Sequence, residues 1–149
     1  MSNVKGYFEV GIYQTKTEKN VGTLWRSAYQ LGAMGVFTIS KRYCQQASDT
    51  PKVQGQIPLR HYETFDNFKN HIPENSTLIG IEIGGISLSS FTHPRMAVYL
   101  LGAEDNGLPD EIREQCKHIV SIESLRMESY NVAIAGSIVM WHRMFGHVH

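Results

Sequence analysis

Two short apolar runs, each released into a loop, and a long apolar helix after the second loop constrain this chain more than any other feature. Met96 to Leu101 is the first run, and it empties into a glycine-bounded acidic turn, Gly102-Ala103-Glu104-Asp105-Asn106-Gly107. His118 to Ile122 is the second. Ser129-Tyr130-Asn131 comes after it and leads into the apolar stretch Val132 to Phe145. Runs of this length, bounded by turn residues, read as buried strands. Strand, loop, strand, loop, helix is an α/β pattern. In open α/β folds ligands bind at the carboxyl ends of strands, where both loops stand. The expected architecture is a mostly parallel sheet flanked by helices, with a cofactor site in residues 101–135.

The rest of the chain supplies more of the same alternation. Tyr7 to Tyr13 is aromatic and β-branched, a buried strand. Asn20 is expected to cap a helix running to about Leu31. At about 100° per residue, Val21, Leu24, Ala28 and Leu31 share one face, with Arg26 opposite. Gly35 to Ile39 is a second strand, reached through a Gly32–Gly35 turn. A polar loop from Ser40 to Gln56 carries Lys41, Arg42 and Lys52, with Arg60 just beyond. It reads as a solvated loop or as a basic rim for phosphates, with Tyr43 and Tyr62 available for stacking or packing. Pro58 to Tyr62 is a short edge strand. Thr64 caps a helix to Ile72 with Phe65, Phe68 and Ile72 inward. Thr77 to Glu82 is a strand closed by Gly84-Gly85, either a plain turn or a place where backbone approaches a ligand. Pro109 opens a short helix, Asp110 to Cys116. The last helix is apolar nearly all round and needs two burying partners. One of them is expected to be a second subunit.

Composition narrows the function. All 149 residues are expected to form one domain, and 42% hydrophobic content is that of a folded protein. No run reaches membrane-spanning length. The N-terminus lacks the apolar core of a signal peptide. Cys44 and Cys116 have no metal spacing, and a cytoplasmic protein is expected. Formal net charge is zero, so any nucleic-acid surface must be a local patch. Of the seven histidines only His147-Val-His149 has ligand spacing, and it reads as a frayed end. No metal site is expected. The Gly102–Gly107 turn lacks dinucleotide order, and there is no phosphate loop or nucleophile elbow.

Three motifs in order carry a resemblance. They are Asn20-Val-Gly-Thr-Leu-Trp-Arg26-Ser-Ala, then Gly102-Ala-Glu104-Asp-Asn-Gly107-Leu, then an Ile122 strand end followed by Ser129-Tyr-Asn131-Val-Ala-Ile-Ala. Each also has a local reading: Asn20, Ser129 and Asn131 as helix caps, Arg26 as a solvated cation, and Glu104 as a carboxylate that holds its own turn. Together they resemble the SpoU-type (TrmH-like) RNA ribose methyltransferases of the SPOUT class. The chain departs from that pattern at Tyr130, usually leucine, and at Glu123-Ser124, usually Pro-Met. The resemblance implies a C-terminal deep trefoil knot and S-adenosyl-L-methionine as methyl donor. It implies that Gly102, Ile122, Met127 and Ser129 contact that cofactor, with Glu82 at the edge of its pocket. It implies that Asn20, Arg26, Glu104, Ser129 and Asn131 serve the chemistry. Arg26 is the family's candidate for activating a ribose 2′-hydroxyl. The expected substrate is RNA, tRNA before rRNA, with the anticodon wobble ribose as the specific expectation. The expected assembly is a homodimer through the C-terminal helix.

Overall fold

The computed structural model describes residues 6–40, 56–103, 107–126 and 129–146. Glu104, Met127, the loop residues Lys41, Arg42, Tyr43, Cys44 and Lys52, and the pair His147 and His149 lie outside them. Six strands form one sheet: β1 (Tyr7–Tyr13), β2 (Gly35–Ile39), β3 (Leu59–Tyr62), β4 (Thr77–Ser87), β5 (Met96–Gly102) and β6 (His118–Ser121). Their order is β3-β2-β1-β5-β4-β6, and every pairing is parallel. A parallel sheet is buried on both faces, which is why these strands read as continuous apolar runs. The helices are α1 (Glu18–Leu31), α2 (Phe65–Lys69), α3 (Asp110–Arg113) and α4 (Val132–Phe145).

The two faces of the sheet hold separate cores. On one, Val21, Leu24, Trp25 and Ala28 of α1 and Val132, Val139 and Met140 of α4 pack on Val10, Ile12, Ile79, Tyr99 and Leu101. On the other, Phe65 and Phe68 of α2 and Ile112 of α3 cover Phe37, Ile39, Val98 and Leu100. Phe37 stacks on Phe68 at 4.7 Å between centroids.

Four boundaries differ from the sequence expectation by three residues or more, and one is the end of α2, which stops at Lys69 with Asn70 as its C-cap, short of Ile72. Helix α1 begins one turn before the expected cap. Thr17 is the cap, its Oγ1 accepting the Asn20 amide at 3.3 Å. Threonine caps nearly as well as asparagine, and Glu18 then occupies the first turn, where the helix dipole favours an anion. Helix α3 stops at Arg113 and gives way to tighter turns, with the Cys116 amide donating to the Arg113 carbonyl. Strand β4 does not end at Glu82. It slips register so that Val120 of β6 pairs with both Ile81 and Ile86. Gly85 sits in that slip, where a Cβ would lie 2.2 Å from the Ile119 carbonyl oxygen. The close approach foreseen for this glycine pair is therefore to a neighbouring strand. Ser121 pins the slip from β6: its Oγ accepts the Gly85 amide at 2.6 Å and donates to the Glu82 carbonyl at 2.5 Å.

Helix α4 matches its expected span. Its inner face is buried, while Ile134, Trp141 and Phe145 are each more than half exposed. No helix among the described residues is long and apolar enough to cross a membrane.

Candidate functional site: a cavity at the register slip of β4 and the carboxyl ends of β5 and β6

The carboxyl ends of β5 and β6 and the middle of β4, where its register slips, open a cavity of about 390 Å³, within the roughly 300–1,000 Å³ usual for small-molecule sites. Ile81, Leu101, Val132 and Ala135 give it apolar walls. Ser121, Ser124, Ser129 and Tyr130 give it polar ones, and Gly102, Ala103 and Gly107 bring main chain to its surface.

Glu82 organises the β5 side. Its Oε2 accepts the Leu108 amide at 2.6 Å, and its Oε1 lies 3.8 Å from Arg113 of α3. The carboxylate thus ties the middle of β4 to the segment after β5. Gly107 makes this approach possible. Its φ is +63°, and a Cβ there would lie 2.2 Å from Glu82 Oε2. The Gly107 amide closes the turn on the Ala103 carbonyl at 3.0 Å. Glu82, 26 residues earlier in the chain than Leu108, thereby holds the segment just after the turn.

The α4 side is organised by Asn131. Its Oδ1 accepts the amides of Ala133 at 2.9 Å and Ile134 at 3.2 Å, so it is the cap. Its Nδ2 donates to Asn20 Oδ1 at 3.0 Å. The first and third motifs, 111 residues apart, therefore meet through two carboxamides. A cap of this type contributes about 1 kcal/mol to its helix.

Four of the expected cofactor residues, Glu82, Gly102, Ile122 and Ser129, line the cavity together. Asn20 and Asn131 meet each other, and Asn131 precedes the lining residue Val132. Arg26 is exposed on α1 and is not part of the lining. Arg60, expected on a basic rim, stands on β3 within 3.8 Å of the buried Glu9.

Sequence reasoning marked Ser124 and Tyr130 only as departures from the family pattern, and gave Ser121 and Arg113 no role. Tyr130 donates its hydroxyl to the Glu123 carbonyl at 2.5 Å. The Glu123 carboxylate accepts from the Ser89 amide at 3.3 Å and from the Ser89 hydroxyl. The Ser89 bonds hold the Glu123 carboxyl below the usual carboxylate range. The signal for Tyr130 and Glu123 lay in their departure from the family motif. Nothing local in the sequence marks Ser121 or Arg113.

The architecture is shared with solved proteins. An AdoMet-bound rRNA methyltransferase from Sinorhizobium meliloti superposes with a TM-score of 0.82 at 21% identity, over 97% of this chain and 58% of that one. A structure giving insight into the 2-OH methylation of C/U34 on tRNA superposes with a TM-score of 0.79 at 21% identity, over 95% of this chain and 99% of that one. Among curated sequences, an uncharacterized tRNA/rRNA methyltransferase of Archaeoglobus fulgidus is 22% identical over 142 residues, 91% of this chain. The chain spans 63% of that relative's length. The model of the SpoU rRNA Methylase family matches residues 7–141, from the start of β1 to the outer face of α4, and the chain belongs to that family.

Proposed function

We propose that this protein transfers a methyl group from S-adenosyl-L-methionine to a ribose 2′-hydroxyl of RNA, with tRNA as the substrate. The observation that carries this is the cavity, in which Glu82, Gly102, Ile122 and Ser129 converge beside the register slip of β4 and the carboxyl ends of β5 and β6. Its donor set suits the cofactor. Ile81, Leu101 and Ala135 can pack on an adenine ring, and the main chain at Gly102 and Ile122 can read its edge. The cofactor supplies a sulfonium methyl that an in-line nucleophile can take. The protein's share is then mainly positioning.

Gly102, Ile122 and Ser129 hold the donor, with Met127 and Glu104 completing the two loops in this reading. Asn20 and Asn131 fix the ends of α1 and α4 relative to each other. Arg26 orients the phosphate 3′ to the target ribose. Its charge favours the alkoxide, while phosphate or water takes the proton, since arginine stays protonated in proteins. Glu82 and Glu104 are organisers of loops and not bases, because an ordinary glutamate is too weak to ionise a ribose hydroxyl. The trefoil knot belongs to the same reading, since threading the chain is how this class builds two such loops side by side.

What supports tRNA is the likeness to the neighbour associated with C/U34 on tRNA, on which 95% of this chain superposes with a TM-score of 0.79. The specific target we propose is the wobble ribose of the anticodon loop, an unstacked position that a small domain can reach. The second reading, an rRNA 2′-O-methyltransferase, is favoured by the Sinorhizobium neighbour. We further propose a homodimer in which Ile134, Trp141 and Phe145 of α4 face a second copy.

Calorimetry with S-adenosyl-L-methionine, followed by mass spectrometry of individual tRNAs from cells with and without the gene, tests the reading. A lost wobble 2′-O-methyl supports it. An intact wobble position with a methyl lost from rRNA selects the second reading.

A further inference from the structure

The two departures from the family motif, Glu123-Ser124 and Tyr130, meet in space. Tyr130 and Ser124 line the cavity, whereas Ser89 does not. Ser89 lies in the 3-10 turn Leu88–Ser90 that follows β4, and Leu88 of that turn is buried in the core. Glu123 joins the two places by using both of its acceptors. Its carbonyl receives the Tyr130 hydroxyl at 2.5 Å, and its carboxylate receives the amide and hydroxyl of Ser89. A leucine in place of Tyr130 has no group with which to make the first of these bonds.

We propose that Tyr130, Glu123 and Ser89 form a clip that sets one wall of the cavity in place before the methyl donor binds. This rests on the reading of the cavity as the S-adenosyl-L-methionine site. A wall already held does not have to be ordered on binding, so the clip removes an entropic cost from cofactor affinity. Tyr130 and Glu123 are positioning residues here. Their effect falls on how tightly the cofactor is held more than on the transfer step.

The test uses the full chain and calorimetry with S-adenosyl-L-methionine, on wild type, Tyr130→Phe, Ser89→Ala and the double variant. Each single change is expected to weaken binding about 3- to 10-fold, the size of one lost hydrogen bond. Ser89→Ala is decisive, because Ser89 touches the cavity nowhere. The double variant is expected to bind no more weakly than the worse single, since both changes cut one chain of contacts. In steady-state assays the change is expected in KM for the cofactor more than in kcat. Unchanged affinity in Ser89→Ala overturns the clip, whether or not Tyr130→Phe weakens binding by itself. A lowered Tm with unchanged affinity also overturns it, by making the contacts merely structural. A wild type that binds no cofactor overturns both the clip and the reading beneath it.

Discussion

Glu9 is a buried acid, and its burial runs against its chemistry. It sits on β1 with 6% of its surface exposed, receives the Tyr7 hydroxyl, and has Arg60 3.8 Å away. Burial raises its pKa above the ordinary 4.5, and Arg60 only partly offsets this. The fold therefore favours the protonated form. That contribution is fully present below the unfolded pKa and is lost as pH rises through the raised folded value. Glu9→Gln keeps an acceptor for Tyr7 and removes the charge. It is expected to stabilise the protein by roughly 1 kcal/mol at neutral pH and to flatten the pH dependence of urea denaturation above about pH 5. Gly107 gives the opposite sign. Gly107→Ala places a methyl against the Glu82 carboxylate at a positive φ. It is expected to cost about 1–3 kcal/mol and to weaken cofactor binding, both readable by denaturation and calorimetry. Arg26 is exposed and outside the cavity lining. Arg26→Ala is expected to leave cofactor affinity within about threefold while methyl transfer falls by about 100-fold or more. Cofactor binding lost together with activity would place Arg26 in the pocket.

Helix α4 joins the site, the core and the proposed subunit contact. Its N-terminus is capped by Asn131 beside the cavity. Near its other end Arg143 is 1% exposed. It donates to the carbonyls of Pro94 at 2.7 Å and Arg95 at 3.0 Å and to the Tyr99 hydroxyl at 3.1 Å, and lies 4.9 Å over the Phe8 ring. The Tyr99 hydroxyl, which carries one proton, also hydrogen-bonds with His93 Nδ1 at 2.6 Å, and His93 Nε2 hydrogen-bonds with His142 Nδ1 at 2.8 Å. Burial pushes the Tyr99 pKa up to about 12, with Arg143 pulling the other way, so that proton is kept throughout the physiological range. Arg143→Met is expected to destabilise by about 1–3 kcal/mol for each buried acceptor left unsatisfied, and Arg143→Lys to recover little, because three acceptors require the guanidinium fork. Thermal denaturation reads both. On the outer face, Trp141→Asp is expected to give monomers or insoluble protein. A wild type that is already monomeric at micromolar concentration by light scattering would rule out the dimer.

Across the whole molecule, the features legible in the sequence were those that depend on neighbours along the chain. The apolar runs announced the strands of the sheet, Thr64 announced the cap of α2, and the span of α4 was read as it stands. The start of α1 was misplaced because Thr17 and Asn20 are both competent caps and only the fold chooses between them. The grip of Glu82 on Leu108, the bridge from Asn131 to Asn20 and the anchor of Glu123 on Ser89 were illegible for another reason. Each joins residues far apart in sequence, and no periodicity records such a contact. The cavity itself was foreseen only as a position, the carboxyl ends of strands, and four of its residues through resemblance to a family. The central claim is that this cavity presents a methyl donor to a ribose hydroxyl of RNA. The most direct measurement supplies tritium-methyl S-adenosyl-L-methionine with bulk tRNA and rRNA, then digests the RNA and identifies the labelled nucleoside. The account predicts label in a 2′-O-methyl nucleoside from tRNA, reduced about 100-fold or more in Arg26→Ala. Label on a nucleobase, or no transfer to either RNA by a protein that binds the cofactor, would contradict it.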